Sequence, residues 1–135
     1  MLNFFLNHAP KYQKRHRMGR GFNYDPSKPD KNKTLPLITS QMFKHRYAKT
    51  SGALKVSIEA VYEIPKSYTK KKRESLYGKP KITKPDADNV AKFYLDVMSG
   101  LVYDDDNVVA ELSVRKRYIQ DGESAFVRII IENVK

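Results

Sequence analysis

Apolar side chains recur at every second position across residues 53–64, which is the spacing of a β-strand with one buried face. The alternating residues are Leu54, Val56, Ile58, Ala60 and Tyr62. Three further stretches, residues 3–8, 108–117 and 125–132, are also predicted to form strands. Asp121 and Gly122 lie between the last two and predict a hairpin loop that joins them. The pattern therefore predicts about four strands.

Two other segments have the spacing of amphipathic helices. Residues 34–46 place Leu37, Ile38 and Met42 along one face, with Thr34 as the expected N-cap and Pro36 in the first turn. The second helix is predicted from residue 88 or 89 to residue 98. Its apolar stripe consists of Val90, Phe93 or Tyr94, and Val97, and Ser99 and Gly100 are expected to end it.

The order of these elements is β-α-β-α-β-β, which predicts an α+β (small α/β) fold with a mixed sheet of about four strands and two helices. Two basic segments, residues 11–33 and 65–85, contain Gly, Pro and polar residues and are predicted to be loops. We call them the basic arm and the basic loop. The chain of 135 residues has the length of one domain, and we expect a single domain over residues 1–135.

Composition narrows the class of protein. A hydrophobic content of 40% is too high for a disordered chain, and the absence of cysteine excludes a disulfide framework, thiolate zinc sites and a cysteine nucleophile. No apolar run approaches the ~18 residues of a membrane span, and the first residues lack the basic start of a signal peptide. We therefore expect a cytoplasmic protein without a membrane partner.

The net charge of +11 favours a nucleic-acid partner, because Lys and Arg contacts to phosphates release condensed counterions. The charge is unevenly distributed. The basic arm and basic loop hold the residues that we predict to bind DNA phosphates: Lys14, Arg15, Arg17, Arg20, Lys70, Lys71, Lys72, Arg73 and Lys84. Residues 86–106, in contrast, contain six aspartates (86, 88, 96, 104, 105 and 106) and a single base, Lys92.

The aspartates form two groups on either side of the second predicted helix. Asp86 and Asp88 are two residues apart before it, so an extended backbone points both carboxylates the same way. Residues 103–107, which we call the acidic turn, follow the helix and are expected to approach the sheet edge that carries Asp86. Lys92 lies one turn after Asp88. Carboxylates without His or Cys suit Mg²⁺ or Mn²⁺, ions that assist phosphodiester hydrolysis.

Simpler roles remain open for each group. Asp86 or Asp88 can act as a helix cap, the acidic turn can be merely solvated, and Lys92 can pair with Asp88 or Asp96 at i±4 spacing. The three histidines show no metal-binding spacing and are expected to be surface or loop residues. Two other functions also remain open. One is a non-catalytic nucleic-acid-binding protein, and the other is a transferase whose Asp-x-Asp pair binds a diphosphate substrate.

Residues 84–92 (KPDADNVAK), Leu95 and Asp96, residues 100–105 (GLVYDD), and Val108 with Val109 together resemble the RusA family of Holliday junction resolvases. The family pattern is a DxDN-x-x-K segment, a helix with a later Asp, and an aromatic-Asp-Asp turn before a strand. The resemblance covers residues 84–117 closely and the rest of the chain loosely.

The resemblance implies a homodimeric, Mg²⁺-dependent endonuclease that resolves four-way or otherwise branched DNA by paired nicks. By motif, Asp86, Asp88 and Asp105 match the family's catalytic, metal-binding aspartates, and Lys92 matches its functional lysine. Asp105 is chosen within the acidic turn because Tyr103 aligns with the aromatic residue before the aspartate pair, which leaves Asp106 as an additional aspartate. The resemblance also implies a bacterial, prophage or phage origin.

Overall fold

A mixed β-sheet with two long helices on one face forms the centre of the molecule. The computed structural model describes residues 1–19 and 21–134, so Arg20, one of the predicted DNA-binding residues, lies outside the described residues. In chain order the elements are β1 (Leu2–Leu6), β2 (Arg17–Gly19), β3 (Phe22–Tyr24), α1 (Lys28–Lys44), β4 (Leu54–Tyr62), α2 (Lys70–Leu76), α3 (Ala87–Met98), a 3₁₀-helix (Asp106–Val108), β5 (Val109–Tyr118) and β6 (Phe126–Asn133).

The four-stranded sheet has the order β1-β6-β4-β5. Strand β4 pairs in parallel with β5 and antiparallel with β6, and β1 pairs antiparallel with β6. The prediction of a hairpin between the last two strands is wrong, because β4 lies between β5 and β6. The reason is the crossover through α3, which brings the chain back to the outer side of β4 before β6 adds to its other side.

The main core lies between this sheet and helices α1 and α3. The alternating apolar residues of β4 form the part of this core that the sheet contributes. The apolar stripe of α3 packs over them, and Val90, Phe93 and Tyr94 of the stripe are fully buried. A smaller cluster lies beyond the carboxyl ends of β4 and β5, where Val61, Ile64 and Tyr118 pack with residues of the basic loop. The α+β class and the mixed four-stranded sheet are confirmed.

Helix α1 begins six residues earlier than the apolar spacing predicts. Ser27 is its N-cap residue and Pro29 lies in its first turn, where a missing N–H costs nothing. The expected cap, Thr34, is instead buried within the helix and donates its hydroxyl to the carbonyl of Asp30 at 3.0 Å. Pro36 consequently lies inside the helix rather than in its first turn.

Both basic segments contain regular structure where loops are predicted. Strands β2 and β3 form a two-stranded ribbon in the basic arm. Helix α2 lies in the basic loop, where the Thr69 side chain accepts a hydrogen bond from the Lys72 N–H at 3.2 Å and caps a run of strong helix formers. Among the described residues, no helix is long and apolar enough to cross a membrane.

Candidate active site

Asp86 and Asp88 lie together at the start of α3. Asp86 is the N-cap residue, but it caps only through its backbone: its carbonyl accepts from the N–H groups of Asn89 and Val90 at 3.1 and 3.2 Å. Its exposed carboxylate makes no capping bond. The Asp88 carboxylate is exposed as well, and from the described residues it accepts only the N–H of Asn89, at 3.0 Å. Both carboxylates therefore retain oxygen atoms for a ligand.

The segment before Asp86 is fixed to the edge of the sheet. Lys116 of β5 donates its ammonium group to the carbonyls of Thr83 and Pro85, at 2.7 and 2.5 Å. The N–H of Lys81 in turn donates to the carbonyl of Lys116 at 3.0 Å. These bonds place the start of α3 at the carboxyl end of β5.

The basic arm is held against the start of α3. The Gln13 N–H donates to the carbonyl of Asn89 at 2.8 Å, and the Lys11 N–H donates to the Tyr94 hydroxyl at 2.9 Å. Gln13 is buried, and its amide donates to the Asp25 carboxylate at 2.7 Å. Because Gln13 is hydrogen-bonded directly to Asn89, the basic arm lies beside the start of α3, although the two segments are more than sixty positions apart in the chain.

Two adjoining cavities lie between the basic arm and α3. The first, of about 720 Å³, is lined by residues 12–17 of the arm together with Lys84, Pro85, Asp86 and Asn89. The second, of about 560 Å³, shares Asn89 and residues 13–16 and adds Lys92. The predicted DNA-binding residues Lys14, Arg15, Arg17 and Lys84 therefore line the same cavity as Asp86. A cleft with this lining can hold a phosphate group close to acidic ligands.

His16 is a residue of this cleft that the sequence pattern does not single out. It is exposed and lines both cavities, next to Asn89. Spacing gives no signal for it, since it has neither a second His nor a Cys nearby in the sequence. Its position between Arg15 and Arg17 in the basic arm is the only feature of the sequence that points to it.

Helix α2 presents the other predicted DNA-binding residues that the structure describes, and some of them have other contacts. Lys70 lies 4.0 Å from Glu74, and Lys72 lies over the Tyr68 ring at 3.8 Å from its centroid. Arg73 donates to the carbonyl of Pro65 at 3.2 Å, which ties α2 to the preceding loop. Lys71 is exposed. The helix follows the carboxyl end of β4, at the same end of the sheet as Asp86.

Asp96 does not pair with Lys92, in contrast to the i±4 pairing expected for it. It binds Lys31 of α1 at 2.9 Å, and Lys31 also binds Asp25 at 2.7 Å. Burial opposes the ionisation of Asp25, but hydrogen bonds from Lys31 and Gln13 outweigh it and lower its pKa to about 2. Burial likewise opposes the charge of Lys31, yet its bonds to both aspartates raise its pKa. Within residues 1–19 and 21–134, Lys92 forms no ion pair.

The acidic turn lies at the other end of α3. Asp104 pairs with Lys49 at 2.6 Å, and Asp105 is the N-cap residue of the 3₁₀-helix, where it accepts the N–H of Asn107 at 3.4 Å. A hydrogen bond between the side chains of Asp105 and Asp106 lowers the pKa of Asp105 and raises that of Asp106.

Asp86 and Asp88 lie two residues apart at the start of α3, with Asp88 inside the first helical turn, and Asp105 lies beyond the other end of the helix. Tyr103, which precedes the acidic turn, donates its hydroxyl to the carbonyl of Leu95 in the last turn of α3, at 2.8 Å. The 12 residues of α3 span about 18 Å and separate the two groups. Over the described parts of the chain, no three His, Asp or Glu side chains are grouped so that they could hold a metal ion.

Comparison with known proteins supplies the family. The family model described as endodeoxyribonuclease RusA matches residues 7–132. A protein of Bacillus subtilis (strain 168), named uncharacterized protein YqaN, is 30% identical over 124 residues, which cover 87% of this chain and 83% of that protein. The family match spans both the basic arm and the aspartate groups.

Proposed function

Since the chain belongs to the RusA family of endodeoxyribonucleases, which resolve Holliday junctions, we propose that it cuts four-way DNA junctions by paired nicks in a reaction that requires Mg²⁺. As a member of this family the chain is an endonuclease, and this distinguishes it from a non-catalytic binder and from a transferase. Our proposal adds four features to this activity: the metal ion, the paired nicks, the homodimer and the residues that carry out the reaction.

The observation that supports the proposal most directly is the cleft at the start of α3. Its lining combines four basic side chains with Asp86, and Asp88 and Lys92 lie within the next two turns. Basic side chains favour a phosphodiester backbone, whereas two free carboxylates beside that backbone repel it unless a cation is present. An enzyme that cuts a phosphodiester needs both groups in one place.

Asp86 and Asp88 are the residues that fit a divalent ion. Both are exposed, both keep free carboxylate oxygens, and Mg²⁺ in proteins is commonly held by one or two carboxylates together with substrate phosphate oxygens and water. Mn²⁺ takes the same ligands. Asp105 is the third proposed ligand, and within a single chain it lies at the opposite end of α3. When bound, such an ion activates water and neutralises charge on the cleaved phosphate.

The chain's own residues have distinct proposed roles in the cleft. Lys14, Arg15, Arg17 and Lys84 bind DNA phosphates without reading the base sequence, and Arg20 and the α2 residues Lys70 to Arg73 extend this contact. His16 is added to the phosphate-binding group because it lines both cavities. Lys92, which has no carboxylate partner in the described residues, stabilises negative charge that develops on the phosphate.

The proposed assembly is a homodimer. A four-way junction has approximate two-fold symmetry, and a dimer with two-fold symmetry presents two identical sites to it. Each site then cuts one of two symmetry-related strands, which gives the paired nicks. The partner DNA is therefore four-way or similarly branched rather than plain duplex.

The test is a nicking assay with the Asp88→Asn variant. A strand-labelled synthetic four-way junction and a matched duplex are incubated with protein in Mg²⁺, in Mn²⁺ or in EDTA. We expect Asp88→Asn to bind the junction in EDTA like the unmodified protein but to nick it at least roughly 100-fold more slowly, because even an outer partner of a metal ligand contributes about 10–100-fold.

The matched control is Asp121→Asn, which removes an exposed carboxylate from the turn between β5 and β6 and should leave nicking unchanged. Normal nicking by Asp88→Asn would show that the carboxylate is not part of the site. Binding in EDTA without nicking in either metal, by the unmodified protein, would contradict the nuclease mechanism.

A further inference from the structure

Two exposed aromatic side chains, Phe22 and Tyr24, lie on the ribbon formed by β2 and β3. We propose that they stack on bases at the branch point of the DNA and thereby give the protein a preference for branched DNA over plain duplex. This inference rests on the proposed function for the identity of the substrate. It goes beyond it by assigning a surface that contacts bases rather than phosphates.

The register of the ribbon places both rings on the same face. Tyr24 is the cross-strand partner of Arg17, and Phe22 is the cross-strand partner of Gly19. Cross-strand partners share a face of a sheet, and so do residues two apart in one strand. The centroids of the Phe22 and Tyr24 rings are 6.1 Å apart, and the ring planes are tilted by 48°. We call these two side chains the aromatic face.

Gly19 makes room for the Phe22 ring on this face. A methyl group at position 19 would lie 2.6 Å from Cζ of Phe22 and would displace the ring. The end of the ring therefore rests against Gly19 on the opposite strand. Phe22 nevertheless remains 58% exposed, and Tyr24 remains 43% exposed. Packing within the ribbon consequently leaves much of both rings open to a ligand.

The start and the end of the ribbon are fixed beside the cleft. The Gln13 amide donates to the Asp25 carboxylate at 2.7 Å, and the Lys14 N–H donates to the Ser27 hydroxyl at 2.8 Å. Gln13 and Ser27 are buried. Arg17 belongs to β2 and also lines the first cavity of the cleft. The aromatic face therefore adjoins the cleft in which we place the cleaved phosphate.

The charge around the aromatic face indicates what kind of partner it fits. Residues 11–24 contain five Lys or Arg residues and no Asp or Glu, and Asp25, which follows them, is paired with Lys31. A partner of this surface must therefore combine negative charge with flat apolar groups. DNA has both, since its phosphates bind basic side chains and its bases stack on aromatic ones.

The branch point is where double-stranded DNA offers bases to such a surface. Inside a duplex, each base is covered on both sides by its stacked neighbours. At an open four-way junction, the last base pair of each arm has one uncovered side. An aromatic ring can cover that side whatever the base sequence, because every base has a π-face. The aromatic face therefore favours the branch point over the interior of a duplex.

The preference for the branch point is tested by binding in EDTA. A fluorescein-labelled four-way junction and a labelled duplex with the same arm sequence are titrated with protein, and binding is followed by fluorescence anisotropy. The double variant Phe22→Leu/Tyr24→Leu keeps apolar side chains but removes both rings. We expect it to raise the Kd for the junction at least about 5-fold and to leave the Kd for the duplex unchanged. The dependence of log K on log salt concentration should not change, since no phosphate contact is lost.

Phe43→Leu is the matched control, because Phe43 is an exposed ring on α1 and lies outside the basic arm. It should leave both Kd values unchanged. If the double variant loses affinity equally for the junction and the duplex, or loses none for either, the proposed role of the aromatic face is wrong.

Stacking itself is tested with single strands that differ only in their bases. A labelled thymidine strand and an abasic strand of the same length have the same number of phosphates. We expect the unmodified protein to bind the thymidine strand at least about 5-fold more tightly than the abasic strand, and the double variant to bind both equally. Because the first comparison uses the unmodified protein, it does not depend on how a variant folds. Equal binding of both strands by the unmodified protein would overturn the inference.

Failure of this inference differs from failure of the proposed function. If the unmodified protein cuts junctions and the double variant binds and cuts them equally well, the aromatic face has no part in recognition and the inference is wrong. If the unmodified protein cuts no junction, the proposed function fails, while the thymidine and abasic strands still decide whether the protein stacks on bases.

Discussion

The ion pairs of Lys31 with Asp25 and Asp96 could not be predicted from the sequence. Lys31 contacts a carboxylate 65 positions away, and the basic arm depends on this contact through Gln13 and Asp25. Spacing alone favours an ion pair within α3, because i±4 neighbours are the only partners that a sequence makes visible. Asp86 and Asp88, in contrast, can be recognised from the sequence, because they and the helix that begins beside them are neighbours along the chain.

The Asp25→Asn substitution tests the partly buried ion pair between Asp25 and Lys31. The folded-state pKa of Asp25, about 2, lies below its ordinary value of 3.8, so ionised Asp25 stabilises the fold above pH 4 and the contribution is lost as the pH falls through about 2. We expect Asp25→Asn to lower the free energy of unfolding at pH 7 by about 2 kcal/mol, and the difference to shrink between pH 4 and pH 2.

The measurement for Asp25→Asn is urea unfolding at several pH values, with Asp121→Asn as the exposed control. A difference from the unmodified protein that stays constant down to pH 2 would show that the charge of Asp25 does not stabilise the fold.

Among the secondary-structure elements, those with strong periodicity are predictable from the sequence and those defined by caps are not. β4 and α3 follow their apolar spacing closely, and Gly100 ends α3 with a positive φ of 86° that suits glycine. The predicted start of α1 is too late because its first turns, residues 28–33, are polar and basic and show no apolar stripe. Helix α2 escapes prediction for the same reason, since no residue in it is buried.

The basic arm is the element whose contribution to DNA binding is most directly measurable. Arg15 lines both cavities, and we expect Arg15→Ala to weaken junction binding in EDTA equally for unrelated sequences. The slope of log K against log salt concentration should become shallower by about 0.9 for each phosphate that the variant no longer neutralises.

Lys44→Ala, at the end of α1, is the matched control for Arg15→Ala and should leave the slope of log K unchanged. If the slope for Arg15→Ala equals that of the unmodified protein, Arg15 does not neutralise a DNA phosphate.

In the molecule as a whole, the charge distribution predicts a nucleic-acid partner. The sheet topology explains how the basic segments come to lie near Asp86. The basic arm, the basic loop and Asp86 converge at the carboxyl ends of β4 and β5, although they are far apart in the sequence. The separation of Asp86 from Asp105 within one chain follows from the length of α3, which lies between them. We propose that these aspartates form one site, as the family resemblance implies, although the fold separates them within a chain.

The most direct test of the proposed function is the cleavage of a supercoiled plasmid that extrudes a cruciform, a four-way junction within circular DNA. Paired nicks across the junction produce linear DNA, whereas unpaired nicks produce relaxed circles. We predict linear product in Mg²⁺, no product in EDTA, and no cleavage of the same plasmid without the cruciform sequence. Relaxed circles alone, or equal cleavage of both plasmids, would contradict the proposal that the protein resolves four-way junctions by paired nicks.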